Sequence, residues 1–193
     1  FRHLTNNVRP IRTPADLKGL KMRVMPIEHF KIMIESMGAQ ATPIPWIELY
    51  TSLQTGVVDG QENPICNIIG AKLHEVQKYI TLDGHCLWPT GWIMNWNWFK
   101  SLKPEHQKAI WMAMDEAKHA HIGIASLGND IGIDTLKAAG VQIYTPTEKE
   151  LEAFRRATQG PVIDYLITKK GISKQYIDRF FAEIRKIEEE LGY

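Results

Sequence analysis

Residues 104–139 constrain the fold more than any other part of the sequence, because no proline interrupts them after the first position. Apolar residues recur through this stretch at spacings of three and four, the period of one helix face. An α-helix of that length extends about 50 Å at 1.5 Å per residue, which exceeds the width of a small domain. The sequence therefore predicts a helix that lies across two lobes; the alternative is a helix that kinks near Gly123 or Gly128.

Strand-like and helix-like segments alternate along the rest of the chain. The first predicted helical turn begins with Thr13 as its cap, Pro14 in the first turn and Asp16 three positions after the cap. Such alternation favours an α/β fold with a largely parallel sheet. Strands are predicted at 20–25, from 57 onward, and at 79–88, 91–99 and 141–146; further helices are predicted at 27–37 and 46–55, and after Pro64, Thr147 and Ser173.

Composition and charge narrow the possible function classes. The chain has 193 residues and a formal net charge of +1. Its lysines and arginines are scattered along the sequence rather than clustered. That pattern argues against a nucleic-acid or anionic-membrane surface, which would need a basic patch. No histidine or cysteine cluster has metal-ligand spacing, and no nucleophile, nucleotide-binding or phosphate-binding motif occurs. We therefore expect no metal and no cofactor, and a binding protein rather than an enzyme.

Arg23 is the first candidate binding residue. It lies in the otherwise apolar strand "LKMRVM", just before the chain leaves the sheet. In open α/β sheets, ligands bind outside the carboxyl ends of the strands, and an arginine there can hold a carboxylate through both arms of its guanidinium. The alternative is a structural salt bridge to Glu28, Glu62 or Asp59.

Asn63, in the stretch "TGVVDGQENP", also permits two interpretations. An asparagine before Pro64 is a standard helix start, with Asn63 as the cap and the proline in the first turn. Helix N-termini also bind anions, because their free N–H groups face the ligand. The same residue is therefore a candidate for the wall of a binding cleft.

Three segments together resemble the solute-binding proteins of tripartite ATP-independent periplasmic (TRAP) transporters. They are "PIRTPADLKGLKMRVM", "PIPWIELYTSLQTGVVDGQENP" and "HEVQKYITLDGH". The resemblance implies an α/β, class II periplasmic binding-protein fold with two lobes and a long lobe-spanning helix, of which the N-terminal part of the first lobe is missing here. Residues 1–88 would begin the second lobe, 89–128 would belong to the first lobe, and 129–193 would return to the second.

The resemblance also implies roles for individual residues. Arg23 corresponds to the family's carboxylate-clamping arginine, and Asn63 to the asparagine that supports the bound carboxylate. Trp46 corresponds to an aromatic lining position, and His85 to a polar position that faces the cleft. Arg2 corresponds, with an offset of one residue, to a second arginine near the cleft. Glu62 would shape contacts with ligand hydroxyls or anchor Arg23. Trp88 and Trp92 are expected in the core of the lobe-joining strands, and the alternative is that they line the cleft.

The predicted function follows from this resemblance. A monomeric extracytoplasmic (periplasmic) protein would capture a small organic acid by lobe closure and deliver it to the TRAP membrane permease. The alternatives are an extracytoplasmic carboxylate-sensing domain and an α/β enzyme that acts on a small acid. The sequence leaves open which acid is bound. In an oxidising periplasm, a disulfide between Cys66 and Cys86 is a further prediction.

Overall fold

A computed structural model describes residues 1–192. Within these residues, six strands form a single sheet in the order β3-β2-β4-β1-β5-β6. They are β1 (Arg2–Asn6), β2 (Lys21–Val24), β3 (Gln40–Pro43), β4 (Gly60–Asn63), β5 (Tyr79–Cys86) and β6 (Gln142–Tyr144). β1 runs antiparallel to both of its neighbours, and every other adjacent pair is parallel. The carboxyl ends of five strands therefore share one sheet edge with the amino end of β1, which confirms the predicted α/β class.

Seven α-helices accompany the sheet in the described part of the chain. They are α1 (Glu28–Ser36), α2 (Leu49–Gln54), α3 (Ile65–Gly70), α4 (Trp96–Ser101), α5 (Pro104–Ala138), α6 (Glu148–Thr168) and α7 (Lys174–Leu191), and short 3₁₀ turns occur at Pro14–Leu17, Trp46–Glu48 and Leu73–Glu75. The predicted capping boxes at Thr13 and Thr147 are present, and the Ser173 side chain caps α7.

The two faces of the sheet carry separate hydrophobic cores. One core surrounds Leu4 of β1 and includes Phe30 of α1 and Phe154 of α6. The other includes Ile80 of β5, with side chains from α2, α3 and the end of α5. Thr5, not Leu4, pairs with Ile80 across the strands, so the two cores lie on opposite faces. The lobe is a sheet between two helical layers.

α5 is one uninterrupted helix of 35 residues, as the absence of internal proline predicted. Its buried residues, Gly132 and Leu136, lie near its carboxyl end, where it packs against α3 and the sheet. Apolar side chains farther toward its amino end, among them Trp111, Ile122 and Ile124, are exposed. Within residues 1–192, no helix combines the length and apolar character that crossing a membrane requires.

Two local predictions are wrong. Residues 57–58 follow α2 as a turn, in which the Val57 amide bonds to the Ser52 carbonyl, and the strand begins only at Gly60. Residues 91–99 were predicted as a strand, but 91–95 have no regular structure. α4 follows them, because the Asn95 side chain caps that helix by accepting a hydrogen bond from the Trp98 amide.

The packing of α5 on α3 predicts opposite effects for two glycine-to-alanine substitutions in the same helix. A Cβ at Gly132 would lie 2.3 Å from Cγ2 of Ile65, whereas a Cβ at Gly123 meets nothing within 4 Å. We expect Gly132→Ala to lower the free energy of unfolding by about 1–3 kcal/mol through overpacking. Gly123→Ala should raise it by about 0.5–1 kcal/mol through helix propensity. Urea denaturation of both variants measures this, and equal shifts would contradict the packing described.

Candidate functional site

The predicted binding residues lie at the sheet edge where the five parallel strands end. Arg23 is near the end of β2, Asn63 ends β4, His85 is near the end of β5, and Arg2 begins β1 at the same edge. These four side chains and that of Glu62 are buried, while Trp46 stands half-exposed in the turn before α2. Chain segments up to 83 residues apart in the sequence thus converge at one edge.

Arg2 is held rigidly by Glu62 and Asn63. Its Nε donates to Oε2 of Glu62, and its Nη2 donates to Oε1 and the backbone carbonyl of Glu62 at 2.9 and 2.8 Å. Nη2 also lies 3.1 Å from Oδ1 of Asn63. The guanidinium carbon is 4.7 Å from the ring centroid of Trp88 and 5.3 Å from that of Phe30. Arg2 is therefore an ion-paired cation enclosed by two aromatic rings.

His85 joins two buried carboxylates. Its Nδ1 lies 2.7 Å from Oδ2 of Asp83, and its Nε2 lies 3.2 Å from Oε2 of Glu62. Burial alone would lower the pKa of His85, but the two carboxylates outweigh burial and raise that pKa from 6.5 to about 10. Burial alone would raise the pKa of Glu62, but hydrogen bonds from His85 and Arg2 bring it below its ordinary value. At neutral pH, His85 is a cation whose two ring nitrogens are both occupied by protein groups.

A distortion in β5 brings His85 and Asp83 to this position. Leu4 pairs with Thr81 and Arg2 pairs with Cys86, so residues 82–85 lie opposite the single residue His3. Gly84 adopts φ 55°, a left-handed conformation that glycine accommodates without strain. Oδ1 of Asp83 accepts a hydrogen bond from the Leu4 amide at 3.2 Å. Sequence reasoning missed Asp83, although an Asp–Gly pair inside a strand pattern is a signal for a turn or bulge.

Arg23, unlike Arg2, forms no ion pair with a carboxylate of residues 1–192. Its Nε donates to the carbonyl of Ile44 at 2.8 Å, whereas its Nη1 is buried and makes no hydrogen bond with any group in residues 1–192. Burial lowers the pKa of Arg23; the neighbouring Glu62 opposes this shift and Arg2 adds to it. The ring centroid of Trp46 is 6.0 Å from the guanidinium carbon. Arg23 is thus a buried cation with unused hydrogen-bond donors.

The alternative salt bridges for Arg23 are not formed in the described part of the chain. Oδ2 of Asp59 instead accepts a hydrogen bond from the Lys21 amide at 2.7 Å. Oε1 of Glu28 lies 3.8 Å from Nζ of Lys31. The side-chain oxygens of Glu62 bond to Arg2 and His85. The structural interpretation of Arg23 is therefore wrong for these three acids.

Asn63 is not a helix cap. It is the last residue of β4, and α3 begins at Ile65 with Pro64 in the cap position. The Nδ2 of Asn63 donates to Oε1 of Gln61, and the Nε2 of Gln61 donates to Oγ1 of Thr5 at 2.9 Å. The side chain of Asn63 therefore belongs to a buried polar chain between β4 and β1.

The tryptophans and cysteines differ from expectation. Trp88 and Trp92 were expected in the core, but their residues are 42% and 48% exposed. Trp88 packs against Arg2 and Phe30, and the Trp92 ring lies 6.3 Å from that of His121. In residues 1–192, Cys66 and Cys86 are both free, so the predicted disulfide is not present.

The charges of this cluster do not balance. Three cations, Arg2, Arg23 and protonated His85, face the carboxylates of Glu62 and Asp83. One positive charge remains without a carboxylate, and it is that of Arg23, whose Nη1 makes no hydrogen bond within residues 1–192. Within residues 1–192, no group of three His, Cys, Asp or Glu side chains has the arrangement to hold a metal ion. The geometry is suited to binding an anion.

The pKa values of two histidines predict opposite pH dependences of stability. The folded-state pKa of His85, about 10, exceeds its ordinary value of 6.5. Its contribution to the free energy of unfolding is therefore full below pH 6.5 and is lost as pH rises through 10. Burial lowers the pKa of His3 to about 4, although Asp83 opposes this, so its contribution is full above pH 6.5 and is lost as pH falls through 4. We expect His85→Gln to reduce the free energy of unfolding at pH 6 and progressively less toward pH 10. In His3→Gln, the free energy of unfolding should fall less between pH 6.5 and pH 4 than it does in the wild type. Urea denaturation across this pH range tests both, and parallel curves for the wild type and both variants would contradict the assignment.

Comparison with known proteins identifies the family. Residues 1–169 match the family model described as "Bacterial extracellular solute-binding protein, family 7". The 2,3-diketo-L-gulonate-binding periplasmic protein YiaO of Escherichia coli is 36% identical over 171 residues, which are 86% of this chain and 50% of that protein. The chain also resembles the galactonate-bound sugar acid binding protein DctPAm of Advenella mimigardefordensis, with TM-score 0.87 and 31% identity, over 96% of this chain and 59% of that structure.

A third relative is a TRAP periplasmic solute binding protein of Chromohalobacter salexigens with bound D-glucuronate. Its TM-score is 0.85 at 29% identity, over 96% of this chain and 59% of that structure. The chain spans about half the length of the curated relatives it matches. These relatives are named as binding proteins, in agreement with the prediction of a binding protein rather than an enzyme. The chain belongs to the family 7 bacterial extracellular solute-binding proteins, the family of the TRAP transporter binding proteins.

Proposed function

We propose that this chain is part of an extracytoplasmic solute-binding protein that captures a small organic acid and delivers it to a TRAP membrane permease. The observation that carries the proposal is the state of Arg23, a buried cation with unused donors at the sheet edge where ligands bind in α/β folds. A carboxylate would provide both the missing charge and the missing acceptors.

The first step of the argument is energetic. An unpaired buried charge costs several kcal/mol in a protein interior, and a buried donor without an acceptor costs about 1–3 kcal/mol more. Arg23 bears both costs in the part of the chain described here. Binding of a carboxylate to its two terminal nitrogens would remove them, which gives the site a preference for acids over neutral analogues of the same shape.

The roles of the neighbouring side chains follow from their contacts. Arg2 and His85 are already neutralised by Glu62 and Asp83, so we assign them to positioning rather than to the carboxylate itself. Asn63 accepts a hydrogen bond from Arg2, and that bond orients its side chain beside the site.

Trp46 provides the apolar part of the proposed site. Its ring lies beside Arg23, and the residue is 46% exposed, so its surface is available to the body of a ligand. Trp46 would pack on the ligand while Arg23 fixes the acid group.

Capture by lobe closure is part of the proposal. The exposed apolar side chains in residues 89–128 fit the assignment of that segment to a first lobe, with 1–88 and 129–193 in the second lobe. α5 would then extend from one lobe into the other. The site edge would face the cleft between them, and closure would exclude water from Arg23. A periplasmic location is inferred from the relatives, which are named as periplasmic proteins.

The expected ligand is a small organic acid. Relatives of known structure were crystallised with β-D-galacturonate, D-glucuronate, succinate and D-erythronate. A thermal-shift screen of such acids on the full-length protein identifies candidates, since a ligand at 100 times its dissociation constant adds about 2.7 kcal/mol of stability.

Arg23→Lys is expected to weaken binding of the acid found in that screen roughly a hundredfold or more. Lysine keeps the charge but loses the two-armed geometry, and charge-assisted hydrogen bonds contribute about 1.5–3 kcal/mol each, with each 1.4 kcal/mol a factor of ten. Isothermal calorimetry on the full-length protein measures the affinity, with Trp46→Ala as the companion variant that loses packing but keeps the preference for acids. Wild-type affinity in Arg23→Lys would disprove the clamp.

Arg2→Ala is the matched contrast. Because Arg2 pairs with Glu62 inside the protein, its removal should lower the free energy of unfolding by about 3–5 kcal/mol. Arg23→Lys should leave that quantity within about 1 kcal/mol, since no carboxylate pair within residues 1–192 is broken. Melting and urea curves of the two variants decide between the roles. Equal destabilisation would contradict the division into one positioning arginine and one binding arginine.

A further inference from the structure

Both ring nitrogens of His85 face the oxygens of buried carboxylates. Nδ1 lies 2.7 Å from Oδ2 of Asp83, and Nε2 lies 3.2 Å from Oε2 of Glu62. An ionised carboxylate only accepts hydrogen bonds, whereas a neutral imidazole carries a proton on just one of its two nitrogens. A neutral His85 would therefore set a lone pair against one of the two carboxylates. The contacts are satisfied only when both nitrogens are protonated.

Asp83 is fixed so that its charge acts on His85. Its side chain is fully buried, and its Oδ1 accepts a hydrogen bond from the Leu4 amide at 3.2 Å, which directs Oδ2 at the imidazole. Nδ1 of His3 lies 4.0 Å from Oδ1 of Asp83, but that nitrogen accepts a hydrogen bond from the Gly84 amide at 3.1 Å and so carries no proton. His85 is therefore the cation that is paired with Asp83.

The protonation of His85 sets the net charge beside Arg23. With His85 doubly protonated, its charge and that of Asp83 cancel, as do the charges of Arg2 and Glu62. Burial alone would lower the pKa of His85, but the charges of Asp83 and Glu62 and their hydrogen bonds raise it to about 10, so the proton is retained across the neutral range. Loss of that proton would lower the net charge of the cluster by one unit and weaken its attraction for an anion.

The other titratable or charged groups beside His85 keep their charge across the neutral range. They are Arg2 and His3 of β1, Glu62 of β4, Cys86 of β5, His29 of α1 and Arg155 of α6. Burial lowers the pKa of His3 to about 4 and that of His29 below its ordinary 6.5, and it raises the pKa of Cys86 above 9.0. Nη1 of Arg155 donates to Oε1 of Glu148 at 2.8 Å. Asp83 is therefore the group whose loss would let the net charge of the cluster vary with pH.

We propose that Asp83 is a positioning residue that makes the capture of an acid at Arg23 independent of pH across the neutral range. It holds His85 in its charged form, and the charged imidazole in turn keeps Glu62 away from Arg23. Asp83 acts through His85 and does not contact the acid. This role rests on the function proposed for Arg23.

Asp83→Asn is the substitution that tests this role, because an asparagine amide can donate a hydrogen bond to Nδ1 of His85. A neutral His85 then satisfies both contacts, with its remaining proton on Nε2 facing Glu62. The variant keeps the shape of the cluster but lets His85 lose its proton at a lower pH than in the wild type. The matched control is Asp59→Asn, which removes a carboxylate just before the opposite end of β4, where Asp59 accepts a hydrogen bond from the Lys21 amide.

Nuclear magnetic resonance of the ligand-free, full-length protein reports the state of His85. Its ring-nitrogen resonances should show the doubly protonated form across the neutral range in the wild type and in Asp59→Asn, with a pKa of about 10. In Asp83→Asn the same ring should become neutral at a lower pH. A wild-type His85 that loses its proton within the neutral range would overturn the proposal, and so would loss of the proton at the same pH in Asp83→Asn and the wild type.

Calorimetry with the acid found in the thermal-shift screen measures the effect on binding. Between pH 6 and pH 9, the affinities of the wild type and Asp59→Asn should change by less than about twofold, because binding is not linked to proton uptake. The affinity of Asp83→Asn should be at least about fivefold weaker at pH 9 than at pH 6, because the cluster has then lost one positive charge. The midpoint of that change should coincide with the pKa of His85 measured by magnetic resonance in the same variant.

The outcomes separate the role of Asp83 from the binding function itself. If the wild type binds an acid and Asp83→Asn binds it with an equally level pH profile, the role of Asp83 is wrong and the binding function stands. A uniform loss of affinity at every pH would make Asp83 a purely structural residue and would also overturn the proposal. If the wild type binds none of the acids, the function proposed for Arg23 fails, and the role of Asp83 fails with it.

Discussion

The buried guanidinium of Arg23 is the interaction on which the rest of this site depends. Arginine remains charged when it is buried, so folding places a full positive charge at the sheet edge. Among residues 1–192, the backbone carbonyl of Ile44 is its one hydrogen-bond acceptor. The remaining fold must stabilise that arrangement. It does so through two hydrophobic cores on opposite faces of the sheet and through a neighbouring network in which every other charge has a partner.

That network prevents the site from neutralising itself. The charge of Glu62 acts on Arg23, but the two side-chain oxygens of Glu62 bond to Arg2 and His85. His85 is in turn held by Asp83, which the bulge in β5 brings into reach. If His85 or Arg2 were absent, Glu62 could turn to Arg23 and occupy the position proposed for the ligand. The partners of Glu62 therefore matter to binding even though they need not contact the ligand.

The sequence predicted the features that depend on local patterns. The uninterrupted α5, the alternation that gives a largely parallel sheet, and the capping boxes at Thr13 and Thr147 are all present. Local patterns failed where tertiary contacts compete with them. Asn63 has the ideal sequence context for a helix cap, but the pairing of β4 with β1 extends the strand through it and directs its amide into the sheet network.

The network itself could not be predicted from local patterns, because its members are distant in sequence. Arg2 and Glu62 are 60 positions apart, and only the antiparallel insertion of β1 between β4 and β5 makes them neighbours. The resemblance to solute-binding proteins selected Arg2, Glu62 and His85 as candidates. It did not reveal that these three side chains hydrogen-bond to one another instead of being free to bind a ligand. It also gave no indication of Asp83.

The most direct test of the central claim is a crystal structure of the full-length protein with the acid selected by the screen. The account predicts that the two terminal nitrogens of Arg23 lie within hydrogen-bond distance, about 3 Å, of the two oxygens of one ligand carboxylate. It also predicts that Glu62 remains bonded to Arg2 and His85. A ligand carboxylate bound elsewhere, or an Arg23 paired with Glu62 in the complex, would contradict it.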